Sequence, residues 1–90
     1  MGGIYTAVIP NKQAEVDASS ANYTCPSNSF AIRVNDITAG TSLELVAAGD
    51  ADTSSVVHDN LAVGEVLVGH WKKILAAGTT CDSVIVQSMG

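Results

Sequence analysis

The chain has 90 residues and a mass of 9.2 kDa, with a net charge of −5 and only 4 Lys plus Arg against 9 Asp plus Glu. Phosphate neutralisation needs clustered Lys and Arg, so this balance argues against nucleic-acid binding. The length allows one domain, 1–90, and surface scaling buries only roughly 63% of the unfolded chain's area, a thin core that neighbouring subunits would complement.

No run approaches the eighteen or so apolar residues that cross a bilayer, so no membrane partner is expected. No charged segment followed by an apolar one opens the sequence, and synthesis in the cytoplasm is the default. Met1-Gly2-Gly3 fits the loose myristoylation pattern, but a strand beginning at Ile4 competes with it. Asn22-Tyr23-Thr24 matches a glycosylation sequon and is read as a polar turn.

In chain order, residues 4–9 form a first predicted strand, which Pro10 ends because proline cannot donate to a ladder. From 11 to 29 the composition turns to Ser, Asn, Ala and charge, with Val16 and Tyr23 the sizeable apolar side chains, so a long loop or extended N-terminal arm is expected. The domain then divides into this strand-plus-arm, 1–29, and a β core, 30–90. Phe30-Ala31-Ile32-Arg33-Val34 alternates, with Phe30, Ile32 and Val34 on one face and Arg33 on the other. A turn at Asn35-Asp36 and another at Ala39-Gly40 lead to a strand over 42–47, Leu43 and Leu45 inward and Glu44 outward.

Residues 49–53 read as an acidic turn, 55–58 as a short strand, and Asp59-Asn60 as the turn after it. Residues 64–75 are one long strand or two short ones divided near Gly69. A helix over 70–77 is the rival, since Trp-Lys-Lys-Ile-Leu-Ala-Ala holds good helix formers before Gly78. A compact Gly78-Thr79-Thr80 loop leads to a last strand around Val84, Ile85 and Val86. The spacing predicts an all-β fold: a small antiparallel sandwich or barrel of about 6–8 short strands.

The chemistry-bearing residues do not converge in the sequence. His58 and Asp59 are neighbours on a strand and point to opposite sides, which rules out a triad hydrogen bond there. His58 and His70 across a hairpin would make a metal pair without an evident third ligand. Asp50-Ala51-Asp52 resembles part of a calcium loop but lacks the glycine and distal glutamate at their offsets. No nucleophile elbow, phosphate-cradling loop or H-E-x-x-H occurs, so neither enzyme activity nor a cofactor is expected. Cys25 and Cys81 are read as free, small apolar residues, with a bridge between the early loop and the 78–80 loop as the other reading.

What remains are candidate contact residues: Tyr5, Tyr23, Trp71, Lys72 and Lys73. Trp71 is either an interface anchor or a core residue closing one end of the sandwich. Lys72 and Lys73 are either a solvated edge that discourages pairing or a contact to an acidic neighbour. Exposed aromatics beside polar groups also suit sugars, so a small glycan-binding β-domain resting on Tyr5, Tyr23 or Trp71 is the alternative function.

One family has a similar arrangement. Asn60-Leu61-Ala62-Val63-Gly64, then an apolar strand, then Ile74-Leu75-Ala76-Ala77-Gly78-Thr79-Thr80, then Val84-Ile85-Val86 resembles small β-structured virion proteins of tailed phages and gene transfer agents, the head-spike base family above all. Residues 30–35 sit where that family has its middle strands. This sequence departs from it in Trp71-Lys72-Lys73, where a more basic strand is expected, in a longer N-terminal arm and in Cys81 after the threonines. The resemblance implies a non-enzymatic, homo-oligomeric structural protein that decorates, cements or caps a capsid. Its partners would be copies of itself and the major capsid protein or another virion protein, and its location the virion.

Overall fold

A computed structural model describes residues 12–89. The described residues form eight strands: β1 (Lys12–Val16), β2 (Tyr23–Thr24), β3 (Ser29–Asp36), β4 (Leu43–Ala47), β5 (Val56–His58), β6 (Val66–Val68), β7 (Trp71–Leu75) and β8 (Ser83–Ser88). They build two antiparallel four-stranded sheets, ordered β1-β8-β3-β6 and β2-β7-β4-β5. The fold is a small β-sandwich, as the alternation and turn spacing predict. The predicted strand over 4–9, with Tyr5, lies outside the described residues.

Among the described strands only β4 and β5 are consecutive in the chain and paired with each other. The other connections carry the chain from one sheet to the other, which makes the fold depend on long-range pairing. Residues 64–75 are therefore two strands, and the break at Gly69-His70 is a crossing between sheets, since β6 pairs β3 while β7 pairs β2 and β4. The helical reading of 70–77 is overturned: β7 is an interior strand, and only Ala76–Gly78 turns helically, as a single 3₁₀ turn. Tertiary pairing on both edges of β7 outweighs the small intrinsic helix preference of its residues.

The reading of 11–29 as a loop or arm also needs correction. Residues 12–16 pair with all of β8 but its first residue, from Lys12 opposite Ser88 to Val16 opposite Val84, and Tyr23 and Thr24 pair with Ile74 and Lys73. Ala18, wholly buried, and Cys25 belong to the core. An edge strand can be held by backbone hydrogen bonds alone, so the polar Lys12-Gln13-Ala14-Glu15 run carries no apolar alternation to betray it.

The core lies between the sheets. Ile32 and Val34 of β3 and Val84 and Val86 of β8 face Leu43 and Leu45 of β4 and Ile74 of β7, all almost completely buried. Two β-bulges bend β3. At the first, Ser29 stands opposite Ser88 but Ala31 opposite Gln87, so Phe30 is an extra residue. The bulge resets the alternation: Ser29 and Ile32 are buried, while Phe30, predicted on one face with Ile32 and Val34, is half-buried and takes no part in the core cluster.

The Gly78-Thr79-Thr80 loop is fastened to the start of β4 by hydroxyl groups. Thr79 Oγ1 donates to Leu75 O (2.8 Å) and accepts from Glu44 N (3.0 Å). Thr80 Oγ1 accepts from Ser42 N (3.0 Å) and shares a bond with Ser42 Oγ (2.7 Å), whose own oxygen lies 3.0 Å from Gly78 O. Where the chain leaves one sheet for the other, side chains thus satisfy groups that a ladder would otherwise occupy. At the bend after β5, Asn60 takes φ 56°, a left-handed conformation that asparagine tolerates better than most residues.

Candidate functional site

Trp71, Lys72 and Lys73 open β7, and a bulge decides where they point. Val46 pairs with Lys73 but Ala47 with Trp71, leaving Lys72 as the extra residue. In a regular strand two adjacent lysines project to opposite faces. Here both reach Asp52: Lys72 Nζ lies 2.9 Å from Oδ1 and Lys73 Nζ 2.7 Å from Oδ2. Lys72 Nζ also donates to the Asp50 carbonyl. The acidic neighbour that the basic pair meets is thus the 49–53 turn of its own chain, and the ammonium groups, Lys73 first, hold the Asp52 carboxyl below its ordinary value of 3.8.

Trp71 turns inward. Its ring packs against the core and meets His58 edge-on at a centroid separation of 5.9 Å, and its Nε1 donates to Leu67 O at 2.9 Å. One indole therefore links β7 of one sheet to β6 of the other. Tyr23 also packs against the core, half-buried. Both described aromatics on which a glycan site would rest are half-buried and pack against the core. His70 is exposed, with Nδ1 3.1 Å from Ser29 O, so the two histidines have separate partners. Among the described residues no three His, Cys, Asp or Glu side chains gather as metal ligands, and no pocket opens.

Cys25 and Cys81 are free and buried, at opposite ends of one sheet. Cys25 N bonds Lys72 O, beside the end of β4, whereas Cys81 N bonds Ser42 O, just before β4 begins. The length of β4 separates them, on the order of 15 Å at the rise of an extended chain, well beyond disulfide reach. Burial pushes the Cys25 thiol up to about 11 and raises Cys81 as well, with the Asp82 charge adding to it there.

The surface feature that sequence reasoning missed is apolar. Val66 and Val68 of β6 are 44% and 78% exposed, and Val56 and Val57 of β5 are 57% and 52% exposed. Among the described residues both strands are edges of their sheets. The signal was present: Val56-Val57 and Val66-Leu67-Val68 have apolar residues at consecutive positions, and in a two-layer sandwich one of each such pair must face outward. No family model, curated protein or solved structure matches the chain.

Proposed function

We propose that this protein is a structural building block that works by assembling with copies of itself on a larger particle, as a capsid-decorating, cement or head-spike base component of a tailed-phage virion. The observation that carries this reading is the set of exposed valines on the edge strands β5 and β6. Moving a valine side chain fully out of water is worth about 1.5 kcal/mol or more, so edges of this kind gain most when a neighbouring subunit covers them. The likeness of residues 60–86 to the head-spike base family supports the phage assignment. The virion partners are the major capsid protein or another shell component, and the work is done by contact, without a reaction.

Light scattering coupled to size-exclusion chromatography, together with mass spectrometry of particles purified from the cells that encode the protein, tests the reading. The expected result is a homo-oligomer in solution and the protein present in washed particles. A monomer at every concentration that is also missing from particles overturns it.

A further inference from the structure

Among the described residues the sheet β1-β8-β3-β6 ends on β6, which has β3 on one side only. The bonds from Gly69 N to Phe30 O (2.8 Å) and from Val34 N to Glu65 O (2.9 Å) fix the phase of that pairing. Glu65 O and Gly69 N thus face β3, as does Leu67 between them opposite Ile32, so by the antiparallel alternation the N–H and C=O of Val66 and Val68 aim away from the sheet. No hydrogen bond among the described residues uses those groups. The side chains of the same two residues are the exposed valines on the outer face.

The other three edges differ. β1 carries Lys12 and Glu15, and β2 is only two residues long. β5 lies between the acidic 49–53 turn and Asp59, where a second copy would bring like charges together. Val66-Leu67-Val68 has no charge and no proline, the usual devices against edge pairing.

We propose that β6 pairs antiparallel with β6 of a second copy about a two-fold axis at Leu67, joining two four-stranded sheets into one continuous sheet; the proposal rests on the assembly reading above and names its contact. In this register Val66 of each copy stands opposite Val68 of the other, and each of the two pairs exchanges both of its outward N–H and C=O groups. Both copies present the same surface, as a two-fold contact requires. The valine side chains become direct cross-strand neighbours at about 5 Å, and Glu65 falls opposite Gly69, so no like charges meet.

The test is the solution mass of three proteins. The wild type is expected at twice 9.2 kDa or a larger even multiple. The double variant V66K/V68K sets lysine opposite lysine and is expected to fall to half the wild-type mass. V66E/V68K has equally polar positions but sets glutamate opposite lysine in the proposed register, and is expected to keep the wild-type mass. Circular dichroism checks that both variants fold, and amide exchange in the wild type reads the contact without any substitution: the amides of 66 and 68 are expected to slow at least tenfold as concentration rises through the association range. A wild-type oligomer of unchanged mass in V66K/V68K, with fast exchange at 66 and 68, overturns the β6 contact and leaves the assembly reading standing. Loss of association in V66E/V68K as well overturns the register. A wild-type monomer throughout overturns the contact, and the particle assay separately decides the assembly reading.

Discussion

Gly40 lies so close against Thr80 that a β-carbon at position 40 would occupy the space of the threonine hydroxyl and Cβ. The same hydroxyl accepts from Ser42 N and shares a bond with Ser42 Oγ, so it cannot move aside without breaking the clasp between the 78–80 loop and β4. Gly40→Ala is expected to cost about 1–3 kcal/mol in urea unfolding. Gly49→Ala, where nothing lies within 4 Å of an added carbon, is expected to stay within about 0.5 kcal/mol of the wild type. Equal effects at the two positions would refute the close-packing account.

Asp52 links the bulged lysines to the 49–53 turn. Its carboxyl is held below its ordinary value by Lys73 and Lys72, so the unfolded chain takes up the proton first as pH falls. The stabilisation is present above the unfolded value of 3.8 and is lost as pH drops through the lower folded value. In melting curves from pH 7 to pH 2, Asp52→Asn is expected to be less stable than the wild type near neutrality and to converge with it at the acid end. Added salt should narrow the neutral-pH gap, because Asp52 is exposed and both lysines are only half-buried. A gap that persists unchanged at pH 2 would show that charge is not its source.

Both thiols are buried, and with Cys25 pushed up to about 11 its thiolate is scarce at neutral pH. Ellman's reagent at pH 8 is expected to label the native protein only at the rate of opening, and to titrate two thiols at once in guanidinium. Oxidation should not link the two intramolecularly while the fold is intact, which non-reducing mass analysis after proteolysis reads directly. Rapid native labelling of both would contradict the burial.

Trp71 bridges the sheets through its Nε1 bond to Leu67 O. Trp71→Phe keeps a ring in the core and removes that bond, so a loss of about 0.5–2 kcal/mol is expected. Because Leu67 is the middle residue of β6, amide exchange should quicken first in β6. Stability loss with no change at β6 would place the tryptophan's role elsewhere.

How much of this was legible follows from where each signal resides. Strands β3 and β4 advertise themselves by alternation, since Ile32 and Val34, and Leu43 and Leu45, must all face one core. β1 and β2 do not, because an edge strand is held by main-chain bonds that any non-proline sequence supplies. The bulges at Phe30 and Lys72 were equally hidden, being set by the fit of one strand to its partner. The exposed valines could be counted from the sequence, but whether a strand ends a sheet is a property of topology.

Composition and periodicity alone therefore determined a small, acidic, all-β domain with a thin core and dispersed titratable groups. These depend on residue type and on spacing along the chain, both of which act locally. The tertiary structure alone decided that Lys72 and Lys73 share one carboxylate, that Trp71 packs against the core and that β6 ends its sheet among the described residues. Each of these depends on which distant strand becomes a neighbour, and that choice is made by the collective packing of the two sheets.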